Sequence, residues 1–308
     1  MASLAPSNAM GALIVSESTL LTAVGIGLSA QRPLPLWLLG QLLLGVAMLQ
    51  WFVVLHEAGH LTLFKSRGVN LAVGHLAGFF ALIPFETWRR VHGLHHLWTG
   101  WQDRDPTTAS LVPRRLAPVE RFAVDWAWRL WLPLFSTLYR INNYWHLPRI
   151  ERFLGRTQGR RAMAINACLL AATYAALCAA FGPATVLRCV GLAILFSLAL
   201  QDPLILSQHT HLPQNVSGGR EVTPLTPSEQ ERYTRSLRFP KWVANYVLFN
   251  FDAHELHHSH AHVPGYRLRR IPESQRNEVD WWLWLRGAKR LRGSVFLFSN
   301  RQQTGFLL

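Results

Sequence analysis

Charge is scarce in this chain. Asp, Glu, Lys and Arg make up 16% of 308 residues, against 50% hydrophobic residues, whereas a soluble domain carries about 25% charged residues. The shortfall excludes an ordinary water-exposed globule, and the apolar content excludes a disordered chain. Cysteine is also scarce: Cys168, Cys178 and Cys189 all lie in apolar stretches. That rules out a disulfide scaffold and reads them as small buried hydrophobes. The chain has no CxxC pair, no GxGxxG and no Asp-Gly dipeptide, so it shows no redox-cysteine or dinucleotide fingerprint. Acidic residues number 17 against 31 basic ones. No basic residue precedes Arg32, so no charged leader region is expected. The rest are spread through two long polar regions and form no compact patch, which argues against a nucleic-acid partner.

Membrane-length apolar sequence is abundant. A helix crossing the bilayer needs roughly 20 mostly apolar residues. Residues 36–55 supply them cleanly, residues 12–28 less so because of Ser16, Glu17 and Ser18, and residues 163–181 and 184–207 form a second pair. Short turns containing Pro33 and Pro183 join each pair. If both turns face outward, all but Arg32 and Arg188 of the 31 basic residues fall on one side, which the positive-inside rule assigns to the cytoplasm. Residues 71–84 are apolar but too short to span, and read as a re-entrant or interfacial segment buried in protein. The expected fold is therefore an all-α membrane protein of one domain, residues 1–308. It has four transmembrane helices in two hairpins and a cytoplasmic helical cap of residues 56–162 and 208–308 carrying the histidines. Trp126, Trp128, Trp131, Trp145, Trp281, Trp282 and Trp284 are candidates for the headgroup level.

The histidines cluster. His56 and His60 stand in HEAGH, His92, His95 and His96 in HGLHH, His209 and His211 in QHTH, and His254, His257 and His258 in HELHH. Positions i, i+3 and i+4 of a helix project to one side, so each box aims two or three imidazoles together. The span ending at residue 55 and the one ending at residue 207 deliver His56 and His209 to the same membrane side, where all four clusters can converge. One zinc needs three or four protein ligands. Nine histidines (His56, His60, His92, His95, His96, His209, His254, His257 and His258) suit two metals with open positions, and imidazole alone does not choose among Fe, Zn, Cu and Ni. His211 precedes Pro213, where the helix should be ending, and is the weaker ligand of its pair. His75, His146, His260 and His262 are expected outside the ligand set. Ligating histidines usually donate their other N–H to an acceptor. Glu57, Asp202, Asp252 and Glu255 are the candidate partners.

Together these motifs resemble the integral-membrane fatty acid desaturase and hydroxylase superfamily, and more closely its Δ12/ω-type acyl-lipid desaturases. Trp88 precedes His92 by four, and Thr99-Gly100 follow the second box. Asp252 stands two before His254, Pro264-x-Tyr266 follows the third box, and His56 and His60 are separated by three residues. The resemblance implies a non-haem di-iron centre on these histidines, activation of O2, and removal of hydrogen from a lipid acyl chain. It also implies a separate electron donor such as ferredoxin or cytochrome b5, for which a basic cytoplasmic face is suited. Hydroxylases, acetylenases, epoxidases and carotenoid ketolases share the pattern, so hydroxylation or ketolation of a lipid or carotenoid is the alternative outcome.

Two other classes compete. HEAGH satisfies HExxH, so an intramembrane zinc protease would use His56 and His60 as ligands and Glu57 as base. That reading leaves HGLHH and HELHH unexplained. A metal transporter should carry ionisable residues along a transmembrane path, and only Glu17 and Asp202 lie in candidate spans.

Overall fold

The computed structural model describes residues 4–154, 159–272 and 276–306. In chain order its helices begin with α1 (Asn8–Ser29), α2 (Leu34–Gly59), α3 (Arg67–Ala81), α4 (Phe85–Trp98) and α5 (Pro118–Arg129). Then come α6 (Leu134–Arg140), α7 (Leu147–Leu154), α8 (Arg160–Phe181), α9 (Pro183–His209) and α10 (Pro227–Gln230). The last five are α11 (His254–Ser259), α12 (Gly265–Leu268), α13 (Trp281–Arg290), α14 (Gly293–Phe298) and α15 (Arg301–Thr304). The only sheet among the described residues pairs two three-residue strands in parallel, β1 (Ser236–Arg238) with β2 (Glu278–Asp280).

Helices α1, α2, α8 and α9 are long and apolar enough to cross a membrane. Proline in the first turn starts α2 and α9, where its missing N–H has no helical partner to lose. Helix α2 is the centre: 72% of its apolar window is buried, against 11% for α8, so α8 is left to face lipid. Small residues let backbones close up, as expected where two helices meet in a bilayer. A Cβ on Gly40 would lie 2.4 Å from the Ser29 nitrogen, and one on Gly45 2.6 Å from the Phe196 ring. Polar side chains tie the same helices. Gln41 donates to the carbonyls of Arg188 and Cys189 and accepts from Ala193 N, Trp51 donates to Thr22, and Gln50 donates to Glu17.

Helices α3 and α4 meet at a bend of 99°, where residues 71–84 were expected to be re-entrant. The break frees carbonyls that need donors. Arg140 Nε donates to Ala81 O, Trp145 Nε1 to Leu82 O and Tyr174 to Phe79 O. Pro203 lies inside α9 and has no N–H for the Ala199 carbonyl four residues earlier. Trp131 Nε1 supplies that bond at 2.9 Å.

Some sequence expectations fail here. The cysteines are not buried: Cys168 is exposed and Cys178 and Cys189 are partly so, because they lie on the outward faces of α8 and α9. Trp128 and Trp284 belong to a second core with Phe296, since α5, α13 and α14 pack on one another. Trp126, Trp131 and Trp282 do stay exposed.

Replacing Arg140 by Leu should leave Ala81 O and Gln201 Oε1 without donors, at roughly 1–3 kcal/mol for each stranded group. The expected result is a lower unfolding midpoint in detergent, measured by intrinsic fluorescence. An unchanged midpoint would show that the bend needs no donor.

Candidate metal centre

Helices α2, α4, α9 and α11 deliver all nine candidate histidines to one place. Two groups of four can each hold a metal ion: His56, His60, His92 and His257, and His95, His209, His254 and His258. His96 joins the first, with Nε2 3.1 Å from His92 Nε2 and 3.0 Å from His257 Nε2. Within the groups His60 Nε2 lies 2.7 Å from His92 Nε2, and His254 Nε2 lies 2.8 Å from His209 Nε2 and 3.0 Å from His258 Nε2.

The partition follows from helical geometry. At about 100° per residue, positions i and i+4 nearly coincide, while i+3 is turned about 100° from i+4. A box spelled H-x-x-H-H therefore sends its outer pair one way and its middle histidine another. In α4, His92 and His96 face the first group and His95 the second. In α11, His254 and His258 face the second and His257 the first. Each box serves both groups.

Four of the outer nitrogens are held. His95 Nδ1 lies 2.7 Å from Asp105 Oδ2, His56 Nδ1 3.1 Å from Glu57 Oε1, His209 Nδ1 3.1 Å from Tyr233 O, and His258 Nδ1 3.0 Å from Gln230 Oε1. Gln230 Nε2 donates to His96 O and Leu225 O, so its amide oxygen is the atom facing His258. Carbonyl and carboxylate oxygens can only accept, which puts the proton on each Nδ1 and leaves Nε2 as a lone pair. The Nε2 atoms of His95, His209 and His258 are then acceptors crowded together, and the Nε2 of His254 can donate to one of them at most. His56 Nε2 is buried without a partner. Hydrogen bonds cannot satisfy this arrangement, but cations can. The donor set fits metal at both positions.

Burial, reinforced by neighbouring imidazoles, pushes His92, His96, His254, His257 and His258 well below the usual histidine range. The shift favours the neutral form, whose lone pair a metal would need. Burial alone would raise Asp105, but the adjacent His95 and the Thr107 N–H outweigh it and hold the carboxyl below its ordinary value. Asp105 is thus an anion buried against a ligand-bearing imidazole.

Of the four acids proposed from sequence, Glu57 alone touches a clustered histidine among the described residues. Its other oxygen accepts from Gly265 N and Thr62 Oγ1, tying the first box to the Pro264-x-Tyr266 motif. Asp252 instead holds Arg269 at 2.6 Å, Asp202 accepts from Ser136 N, and Glu255 accepts from Arg276 N and Asn277 N. Asp105 was missed because it lies in a loop with no periodicity to link it to His95. Gln230 and Tyr233 were missed because they lie in short helical turns far in sequence from the histidines they contact. His211 turns away to Ser299 O and Thr304, and His75 sits beside Asn166. Gly59 has a packing role: a Cβ there would meet the Trp88 ring at 2.1 Å, and Trp88 stacks on His92 at 4.3 Å. Arg235 is buried with its pKa pushed down to about 9 by burial, and donates to Ser207 O and Thr210 O, bracketing His209 at the end of α9.

The fatty acid desaturase profile matches residues 32–280. The chain belongs to the fatty acid desaturase family. A probable fatty acid desaturase of Sorghum bicolor is 29% identical over 83% of the chain and 67% of its own length. An sn-1 oleoyl-lipid 12-desaturase of Picosynechococcus is 36% identical over 26% of the chain and 22% of its own length. A chloroplastic sn-2 acyl-lipid omega-3 desaturase (ferredoxin) of Arabidopsis thaliana is 22% identical over 85% of the chain and 60% of its own length. Membership makes the chain an oxidoreductase of fatty acyl metabolism, and its four apolar helices and two histidine groups fit a membrane protein that binds metal.

Replacing Asp105 by Asn should lower metal affinity by roughly 10–100-fold, the usual effect of losing a ligand's outer partner. Metal content after graded chelation measures it. Asp252→Asn should leave that affinity unchanged while lowering the unfolding midpoint, because it breaks an ion pair and not a histidine contact. Equal metal loss in both variants would remove the special place of Asp105.

Proposed function

We propose that the chain is a di-iron, O2-dependent desaturase that inserts a double bond into an acyl chain of a membrane lipid. The observation that carries this reading is the two converging imidazole groups with an apolar cavity beside them. A cavity of about 370 Å³ shares Thr107, Leu111, Tyr139, Ile205 and Leu206 with the smaller cleft, about 60 Å³, that reaches His56, His92, His95, His209 and His254. An acyl chain lying there would present its methylenes to the histidines.

His56, His60, His92, His96 and His257 would hold one iron, and His95, His209, His254 and His258 the other. Bound iron would supply the activation of O2 needed to break an unactivated C–H bond. The overall change takes two hydrogens from adjacent carbons, and O2 with two electrons and two protons leaves as two waters. The protein's own part is to keep the nine imidazoles aimed, to hold the chain in an apolar slot, and to exclude bulk water. Glu57 is engaged by His56, Thr62 and Gly265, which argues against its serving as the free base of a zinc protease.

In this reading the four long helices form two membrane hairpins, and the remaining helices form a cap on the cytoplasmic side as part of one domain. The 31 basic residues against 17 acidic support that sidedness and suit an acidic donor such as ferredoxin or cytochrome b5. One Arabidopsis relative carries ferredoxin in its name.

Purified protein should contain about two irons per chain, and cells expressing it should gain an unsaturated acyl species in lipid profiling. His92→Ala, His209→Ala or His257→Ala should each abolish turnover with membrane insertion intact. Retained turnover removes that residue from the ligand set. Two irons with a hydroxylated or keto product keeps the site and changes the reaction, whereas one zinc without a lipid change overturns the proposal.

A further inference from the structure

A second cleft, about 570 Å³, is bordered by α5, which also borders the acyl cavity. Its wall carries Lys289, Arg129, Arg290 and Arg292, together with Trp128 and Trp131. Lys289 Nζ sits 3.9 Å from the Trp128 ring centre and 4.7 Å from that of Trp131, and donates to Trp128 O. None of the four cations is in an ion pair among the described residues. The single lining carboxylate, Asp125, accepts from Ser294 N at 2.7 Å. Burial pushes Lys289 down to about 8 and the charge of Asp202 only partly offsets it, the cost of holding an ammonium between indoles.

The cleft sits at a definable depth. Trp131 is anchored on Ala199 O, which lies roughly 24 Å along α9 from Pro183 at 1.5 Å per residue. That is close to the far edge of a hydrocarbon core about 30 Å thick. Phe122, Trp126, Leu130 and Leu132 are exposed around the cleft, as apolar and aromatic side chains are at the headgroup level. Helix α5 is its shared wall: Ala123 and Val124 line the acyl cavity, and Trp126, Trp128 and Arg129 line the cleft.

We infer that this cleft binds the phosphodiester of a membrane phospholipid, seating the headgroup of the substrate whose acyl chain enters the adjoining cavity. Planar guanidinium groups pair with phosphate oxygens in two-point hydrogen bonds, and Lys289 adds a point charge. The occupant is a lipid phosphate because the cations and the exposed apolar band occupy one level and one helix. The substrate assignment rests on the desaturase reading above, while the binding claim does not.

The test uses full-length protein in mixed micelles with phosphatidylglycerol and uncharged galactosyl diacylglycerol, counting retained lipid by native mass spectrometry. Wild type should retain phosphatidylglycerol preferentially, and the Arg290→Gln/Arg292→Gln variant should lose about tenfold of that preference for each guanidinium contact removed. Lys289→Met should show the same loss. The two arginines are exposed, so an unchanged unfolding midpoint of the arginine variant keeps its result interpretable. Equal retention of the two lipids by wild type overturns the site, as does displacement by inorganic phosphate in place of lipid. The ratio of turnover on the two lipids should fall with the binding preference. Lost binding with an unchanged turnover ratio overturns the substrate assignment. Absence of turnover on both lipids in wild type would strike the desaturase reading and leave the retention measurement intact.

Discussion

The structure depends on one constraint: nine imidazoles must be held in a largely buried space with their inner nitrogens facing one another. Left alone, such groups would turn toward any donor, since a buried acceptor without a partner costs about 1–3 kcal/mol. Four of them stay because their outer nitrogens are taken. Asp105, Glu57, Gln230 and the Tyr233 carbonyl fix these rings, and three of the acceptors are fixed in turn. Glu57 is held by Gly265 N, Asp105 by Thr107 N, and Gln230 through two backbone carbonyls. The centre is thus a shell of aimed lone pairs built from outside inward, and the loops that look irregular in sequence are what aims them.

The histidine boxes were legible because a helix converts spacing into direction. Four apart means one face, but the sequence reading put the middle histidine of each H-x-x-H-H box on that face too, and the structure turns it to the other group. Convergence was legible as well, since α2 and α9 carry His56 and His209 in their last turns, at the same end of an apolar run. The assignment of each histidine to one group or the other was not read from sequence. It depends on the crossing of α4 and α11, which makes His95 and His257 the exchanged members.

The supporting acids were the least legible. Proximity in sequence favoured Asp252 and Glu255, but Asp252, two residues before α11, pairs with Arg269, and Glu255 accepts from the Arg276 and Asn277 backbone. Asp105, ten residues beyond His95, is brought back by a turn that no periodicity announces. The tryptophans show the same limit. Trp126 and Trp128 are two apart on one amphipathic helix, which exposes the first and buries the second, so composition alone assigned both to the surface.

The Arg- and Trp-rich stretch between the second histidine box and α8 gains a physical reason from the helices it touches. A membrane helix can be broken only where the freed carbonyls find donors within the protein. Two breaks occur near the site, at the α3–α4 bend and at Pro203 in α9. Both are closed from this stretch: Arg140 and Trp145 on the first, Trp131 on the second. Arg and Trp are the side chains that reach furthest while carrying an N–H that cannot act as acceptor. The breaks in turn matter to the site. The bend turns α4 so that its histidines meet those of α2, and the Pro203 region lies one turn before Ile205 and Leu206, which line both the acyl cavity and the histidine cleft. The Arg and Trp content of this stretch is therefore what lets two apolar helices deviate beside the histidine cleft.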